Sequence, residues 1–146
     1  MNRVVKYCSL LFFFFILGAA EGGFSGCKKN KDDVPVVSVD ILLYTTDPAF
    51  SPLNAISGYI YVAGGSKGII VFRKSSTEFM AWDRHCTYKV SEGNQVTVDA
   101  SGLIAVDAVC GSKFLITDGS PNAGPASTSL KYYLTTFDGT VLHIYN

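Results

Sequence analysis

Two stretches of sequence decide the fold of this chain: AWDRHCTY at residues 81–88 and CGSKFLITDGSPNAGPA at residues 110–126. Each joins a cysteine to an apolar or aromatic run that is typical of a strand. Glycine interrupts the second stretch at three places, and glycine lets the backbone turn where a side chain would clash. Pro125 also fixes one backbone angle of its loop. The two stretches therefore predict strands that lead into two tightly turned loops, each carrying a cysteine.

The sequence around these stretches predicts an all-β domain with little helix. From Val36 onward, short apolar or alternating runs are separated by Gly, Pro, Asn and Asp, and no useful length shows a helical period. Strands spaced roughly ten residues apart are typical of a small sandwich or barrel. The predicted strands are Val36–Leu43, Tyr59–Val62, Gly68–Arg73, Glu78–Asp83, Gln95–Asp99, Leu103–Val106, Lys113–Thr117, Lys131–Thr136 and Thr140–Tyr145.

Several connections can be predicted from their turn residues. Gly64–Gly68 provides positive-φ residues between two strands, which favours a hairpin over a phosphate-binding loop. Ser101-Gly102 and Asp138-Gly139 are typical of hairpin turns, so the chain is predicted to end in a hairpin. The stretch Asp47–Asn54 contains two prolines, and we expect a loop there with one short helical turn.

Length and charge limit the class of protein. With 146 residues, of which 48% are hydrophobic and 16% charged, the chain is long enough for one domain with a core. Without residues 1–26 it would carry ten basic and eleven acidic residues. No basic stripe is present, so nucleic acid is not an expected partner.

The first 26 residues are predicted to be a lipoprotein signal peptide. Arg3 and Lys6 precede the apolar run Leu10–Ala20, which is too short to cross a bilayer as a helix. The FSGC sequence at residues 24–27 resembles the lipobox of bacterial lipoproteins, which predicts cleavage before Cys27 and lipidation of its thiol. The alternative is ordinary secretion, with cleavage near Ala20 and a free Cys27.

Residues 27–35 are predicted to be a polar tether between the lipidated Cys27 and a domain at residues 36–146. The tether is charged and has nothing apolar to bury. Its Lys31-Asp32-Asp33 portion also resembles the tags that send lipoproteins to the cell surface in some Gram-negative bacteria. The expected location is therefore the bacterial envelope, at the outer membrane or the cell surface, with the membrane as a partner through the lipid anchor.

The two deciding stretches together resemble a Rieske domain. In that family a strand leads into a Cys-x-His loop, and a second loop carries Cys-x-x-His followed by Gly-Ser-x-Phe, a turn ending in Gly, and Gly-Pro-Ala. The second set matches residues 111–114, 118–120 and 124–126, in order and at the family spacing. The resemblance covers about Tyr59 to Asn146. It implies an antiparallel β domain with a two-loop subdomain that holds a [2Fe–2S] cluster.

The ligand positions depart from the family pattern. Alignment on Thr87 and on Gly111-Ser112 places Cys86, Tyr88, Asp107 and Cys110 where the family has Cys, His, Cys and His. A Rieske centre uses two thiolates on one iron and two imidazoles on the other. Phenolate and carboxylate are hard oxygen ligands that suit a sulfide-bridged cluster poorly. We therefore expect the cofactor position to be vacant, with no cluster bound.

The same resemblance brings the loops of Cys86 and Cys110 together, so a disulfide is predicted across the emptied site. It would close a loop of about 25 residues and stabilise the fold by about 3 kcal/mol. The alternative is two buried thiols that act as small apolar residues. A catalytic redox pair is not favoured, because neither cysteine belongs to a Cys-x-x-Cys motif.

The remaining polar candidates have ordinary structural explanations. His85 is a conceivable metal ligand, but it is one residue out of register and is expected at the surface, pointing away from the site. His143 is expected to face solvent from the last strand. Asp107 is expected to be exposed or, if buried, to be met by Lys113 or backbone amides. Core or cross-strand packing is expected for the aromatic residues Phe72, Phe79, Trp82, Phe114, Tyr132 and Tyr133.

The sequence contains no candidate catalytic acid–base pair, so a binding or structural module with an unidentified partner is predicted rather than an enzyme. Two other functions use the same residues. One is an electron carrier with an altered [2Fe–2S] site formed by Cys86 and Cys110 with Tyr88, Asp107 or His85. The other is a thiol–disulfide sensor formed by Cys86 and Cys110.

Overall fold

The structure is a computed structural model that describes residues 33–146, and these residues are mostly strand and loop. The predicted signal peptide, Cys27 and the first part of the tether lie outside the described residues, so the predictions for them stay predictions. Within the described part, no helix combines the length and the apolar character that a membrane span requires. The last tether residues contact the domain, because the Lys131 ammonium donates to the Pro35 carbonyl at 2.9 Å.

Ten strands and two short 3₁₀ helices make up the described chain. The helices are Pro48–Asn54 and Val90–Glu92. The strands are β1 (Asp40–Tyr44), β2 (Tyr59–Val62), β3 (Ile69–Arg73), β4 (Phe79–Asp83), β5 (Val96–Val98), β6 (Ile104–Asp107), β7 (Lys113–Leu115), β8 (Pro121–Ala123), β9 (Tyr132–Phe137) and β10 (Val141–Tyr145).

The strands form two antiparallel sheets. The large sheet has the order β1-β10-β9-β4-β3-β2, and the small sheet has the order β5-β6-β7-β8. Strands β4 and β9 pair directly, although the chain between them contains the whole small sheet. The small sheet is therefore an insertion between two neighbouring strands of the large sheet.

Two hydrophobic cores lie on opposite faces of the large sheet. Along β3, Ile69 and Val71 belong to the first core, whereas Ile70 and Phe72 belong to the second. Successive side chains of a strand point to opposite faces, which explains why the first four residues of β3 are all apolar rather than alternating with polar ones. The second core joins the large sheet to the small sheet and includes Cys86. The segment that carries Cys86 is therefore packed against both sheets through this second core.

The predicted all-β class is confirmed, and all nine predicted strands are present with boundary shifts of a few residues. The first strand begins later than predicted, at Asp40, because Val36 and Val37 are exposed rather than paired. The edge strand β8 was not predicted. The hairpins at Gly64–Gly68, Ser101-Gly102 and Asp138-Gly139 are confirmed, as is a short helical turn within Asp47–Asn54.

Candidate functional site at the paired loops

The first site loop follows β4 and carries Cys86. Its backbone is held by an amide hydrogen bond from Cys86 to the Asn94 carbonyl, at 2.9 Å. The Cys86 side chain is fully buried in the second core. This loop therefore presents its sulfur inward, between the two sheets.

The second site loop connects β6 to β7 and carries Asp107 and Cys110. Backbone bonds from the Asp107 amide to the Ser112 carbonyl and from the Gly111 amide to the Asp107 carbonyl close it, both at 2.9 Å. Gly111 has a φ of 77°, a conformation that residues with a Cβ rarely adopt. The tight turn predicted for this glycine is confirmed.

A third segment, residues 124–130, covers the second loop and is called the cover loop here. The Ala126 amide donates to the Ser112 hydroxyl at 3.1 Å, and the Thr87 hydroxyl donates to the Thr128 carbonyl at 2.6 Å. A Cβ at Gly124 would lie 2.6 Å from the Ser112 Cα, so only glycine permits this approach. The cover loop is thus bonded to both cysteine loops.

Three of the four predicted ligand positions meet inside this enclosure. The ligand atoms of Cys86, Asp107 and Cys110 all lie within 4.8 Å of one another. The Cys110 sulfur is 3.0 Å from Asp107 Oδ2 and 3.0 Å from the Ser112 hydroxyl oxygen. A thiol has only one proton to donate. The Cys110 thiol therefore donates to the Asp107 carboxylate, and the Ser112 hydroxyl donates to the Cys110 sulfur.

Burial and hydrogen bonding set the charges of this cluster. Burial raises the pKa of the Cys86 thiol to about 12, and the neighbouring Asp107 carboxylate acts in the same direction. For Asp107, burial disfavours the charged form, but hydrogen bonds from both thiols and from two backbone amides outweigh it and lower the pKa. At neutral pH the site therefore holds a protonated Cys86 thiol beside a charged carboxylate.

The prediction that Asp107 is exposed was wrong, because its side chain is fully buried. Its Oδ1 accepts from the backbone amides of Val109 at 2.7 Å and Cys110 at 3.3 Å. The amides proposed for the buried case are therefore its partners, and no bond from Lys113 is found among the described residues. An unpaired buried carboxylate would cost several kcal/mol, and the loop supplies the missing partners.

The other two candidate ligands do not join the cluster. The Tyr88 ring is half-buried and lines a neighbouring groove, with the Lys89 ammonium 5.6 Å from its centre. His85 points away from the cluster, as predicted, but it is buried rather than at the surface. Its ring nitrogens lie 2.8 Å from the Ser66 hydroxyl and 2.9 Å from the Val90 carbonyl, which occupy both of them.

A buried hydrogen-bond network around the Asp83 carboxylate precedes the first loop, and the sequence pattern does not indicate it. The Asp83 carboxylate accepts from the amides of Ser66 at 2.6 Å and His85 at 2.8 Å, and from the Tyr133 hydroxyl at 2.7 Å. It ties the β2–β3 hairpin, the end of β4 and β9 together just before Cys86. Two of its partners, Ser66 and Tyr133, are 17 and 50 residues away along the chain, so no local pattern indicates them.

The predicted disulfide is not present in the structure. Cys86 and Cys110 are both free, and their sulfurs are 3.8 Å apart, whereas a disulfide needs about 2.05 Å. The prediction that their loops place them together is nevertheless confirmed. The Cys110 thiol instead donates to the Asp107 carboxylate at 3.0 Å, and the two sulfurs contact each other without a covalent bond.

The donor set does not fit a Rieske cluster. It consists of two thiols and one carboxylate, and the buried imidazole nearest in sequence, His85, is bonded elsewhere. A Rieske centre requires two imidazoles. In residues 33–146 every buried side-chain nitrogen and oxygen has a hydrogen-bond partner within the protein.

A groove of about 660 Å³ lies beside the paired loops. It is lined by Thr87, Tyr88 and Lys89 of the first loop, by Pro125 and residues 127–129 of the cover loop, and by the tether residues Asp33 and Val34. Its walls combine aromatic, hydroxyl and cationic side chains. The groove therefore offers a surface for a ligand or partner next to the cluster.

Comparisons with known proteins agree with this geometry at the level of the fold. No family model and no curated protein matches the chain. The plasma membrane Rieske protein PetC3 of the cyanobacterium Synechocystis PCC 6803 is similar in structure, with a TM-score of 0.57 and 22% identity over 73% of this chain and 99% of that one. The ferredoxin of carbazole 1,9a-dioxygenase from Nocardioides aromaticivorans IC177 also matches, with a TM-score of 0.47 and 15% identity over 77% and 98% of the two chains. The likeness to PetC3 shows that the described residues have the fold of a Rieske-type domain.

Proposed function

We propose that this chain is a membrane-anchored lipoprotein of the bacterial envelope whose Rieske-type domain acts as a binding or structural module without a functional iron–sulfur cluster. The observation that carries the proposal is the donor set at the paired loops. Two thiols and a carboxylate are hydrogen-bonded to one another, and Tyr88 lies in the groove outside them. A ligand set without imidazole does not suit a Rieske centre.

The rest of the site supports a retained structural role for the former cluster loops. The Ser112 hydroxyl bonds the Cys110 sulfur and the Ala126 amide, which joins the second loop to the cover loop through protein groups alone. The groove beside the loops supplies the binding surface. Anchoring is supported by the apolar leader and the FSGC sequence that ends at Cys27.

Restoring the family ligands tests this proposal. The full chain and a triple variant, Tyr88→His, Asp107→Cys and Cys110→His, are treated side by side with iron and sulfide under anaerobic conditions. We expect the visible charge-transfer bands of a Rieske centre in the variant and none in the parent chain, because only the variant has two thiolates and two imidazoles. Bands of equal strength in the parent chain would contradict the proposal.

The two competing functions give different results in the same preparation. An electron carrier with an altered cluster would show iron and charge-transfer bands in the parent chain. A thiol–disulfide sensor would stay colourless, but the mass of its Cys86 and Cys110 peptides would change reversibly by two hydrogens between oxidant and reductant. For the folded parent chain we expect neither charge-transfer bands with bound iron nor a reversible mass change of two hydrogens.

A further inference from the structure

The distance between the two sulfurs matches the edge of a metal tetrahedron. In a tetrahedral zinc site with Zn–S bonds of about 2.3 Å, two sulfurs lie about 3.8 Å apart. Cys86 and Cys110 hold their sulfurs 3.8 Å apart without a bond between them. A single ion could therefore bind both sulfurs with little change in either loop.

The third donor is already oriented toward the same point. Oδ1 of Asp107 is held by two backbone amides, which leaves Oδ2 facing the sulfurs. Oδ2 now lies 3.0 Å from the Cys110 sulfur, in a hydrogen bond. In a tetrahedral site the same two atoms would be about 3.6 Å apart. A small outward movement of the Asp107 carboxylate would therefore make room for a metal ion in place of the thiol proton that now lies between Oδ2 and the Cys110 sulfur.

The groups that hydrogen-bond to the donor atoms of the cluster are of the kind that orients metal ligands in metal sites. The Ser112 hydroxyl bonds the Cys110 sulfur and also accepts from the Ala126 amide. Such contacts fix ligand orientation and contribute to metal affinity. Cys110 is only half-buried, which leaves one side of the cluster within reach of water.

We propose that Cys86, Cys110 and Asp107 together bind one zinc ion, with water as the fourth ligand. Thiolate donors in a tetrahedral arrangement favour zinc over the hard cations magnesium and calcium. Binding displaces the protons of both thiols and involves no redox change. The inference rests on one part of the proposed function, that the cavity holds no iron–sulfur cluster, and it is independent of membrane anchoring.

Metal titration of the full chain tests the zinc site. The full chain is purified in detergent, stripped with a chelator under reducing conditions, and titrated with zinc alone and with cobalt alone. We expect one zinc per chain, retained against a micromolar chelator, and a higher melting temperature when zinc is present. Cobalt should give thiolate charge-transfer bands together with tetrahedral ligand-field bands. Failure to retain zinc, or a cobalt spectrum without thiolate bands, would overturn the site.

Variants assign the ligands. Cys86→Ala, which keeps all other cysteines, should abolish retention, and Asp107→Asn should weaken zinc binding at least tenfold because it replaces the anionic oxygen. Asp138→Asn is the matched control, since Asp138 also accepts from the amides two and three residues ahead, but on an exposed turn. Equal zinc affinity in Asp107→Asn and the parent chain would overturn the assignment. If Cys86→Ala does not fold, the cobalt spectrum of the parent chain and the Asp107→Asn affinity decide.

The outcomes separate this inference from the proposed function. A chain that is free of iron and binds no zinc overturns the zinc site alone. A chain that carries a [2Fe–2S] cluster overturns both, because the cluster and the zinc ion require the same cavity.

Discussion

Asp107 illustrates how a charged side chain is kept inside a small β domain. It is fully buried, yet its pKa is lowered rather than raised, because two amides and two thiols donate to it. Charge-assisted hydrogen bonds of this kind are worth more than neutral ones. The carboxylate therefore organises the second loop and, through the Cys110 sulfur, its approach to Cys86.

Removing the charge of Asp107 should destabilise the metal-free domain. We expect Asp107→Asn to lower the free energy of unfolding by about 1–3 kcal/mol at pH 7. Because the folded pKa is below the ordinary value of about 4, the stabilisation is fully present above that pH. It is lost as the pH falls through the folded pKa.

Urea unfolding of chelator-treated protein at several pH values checks this prediction, with Asp138→Asn as the control on an exposed turn. The stability difference between the parent chain and Asp107→Asn should shrink as the pH falls below about 4. A difference that is absent at pH 7, or that does not change with pH, would contradict the role assigned to the carboxylate.

At the scale of elements, the strands could be predicted because their apolar pattern is local. Residues 69–72 are apolar on both faces of the sheet because β3 separates the two cores, and the length and β-branched residues of this run still indicate a strand. Strand β8 could not be predicted, because Pro121–Ala123 is a short edge strand whose pairing with β7 is irregular. Pairing of this kind depends on tertiary contacts rather than on sequence pattern.

The Asp83 network should contribute measurably to stability by joining β4, β9 and the β2–β3 hairpin. Tyr133→Phe removes a buried hydroxyl that donates to Asp83 at 2.7 Å. We expect a loss of about 1–3 kcal/mol, because the hydrogen bond is made to a charged acceptor. The matched control is Tyr44→Phe, at an exposed position on β1, which should change stability little. Equal stabilities of the two variants in urea would show that the network is not stabilising.

The close packing of the cover loop against the second loop should require glycine at position 124, because there is no room for a Cβ there. Gly124→Ala would place a Cβ 2.6 Å from the Ser112 Cα and 2.7 Å from the Gly111 carbonyl oxygen, both in the backbone. Gly111→Ala is the matched control, with a similar positive φ but open space around the new Cβ. Both variants suffer backbone strain of about 1 kcal/mol or more.

Comparison of the two glycine variants isolates the contact between the loops. Thermal unfolding should show a lower melting temperature for Gly124→Ala than for Gly111→Ala, since only the former forces the cover loop away from the second loop. If Gly111→Ala were equally or more destabilised, the close approach of the cover loop would not be a stabilising feature.

At the scale of the whole molecule, the site exists because an inserted sheet brings distant loops together. The motif resemblance predicted the two-loop arrangement, and three of the four residues that it placed at the site do meet there. It could not predict the burial of Asp107 or His85, since these depend on contacts with the second loop and the β2–β3 hairpin. Local spacing indicates which residues lie on a loop, whereas tertiary packing decides which of them face each other.

Membrane attachment should depend on Cys27. We expect the parent chain expressed in a Gram-negative host to partition with the membranes and to incorporate labelled fatty acid. Cys27→Ala should lose the label and leave the mature lipoprotein fraction, while Cys110→Ala should retain both properties. Labelled fatty acid in Cys27→Ala, or none in the parent chain, would contradict the predicted lipidation.

We propose that the Rieske-type domain of this chain binds no iron–sulfur cluster, because the paired loops lack the two imidazole ligands that such a centre uses. The test is to purify the full chain anaerobically in detergent and to measure its content of iron and acid-labile sulfide. We expect neither iron nor sulfide in stoichiometric amount. A red-brown protein with two irons and two sulfides per chain, as a [2Fe–2S] centre contains, would contradict it.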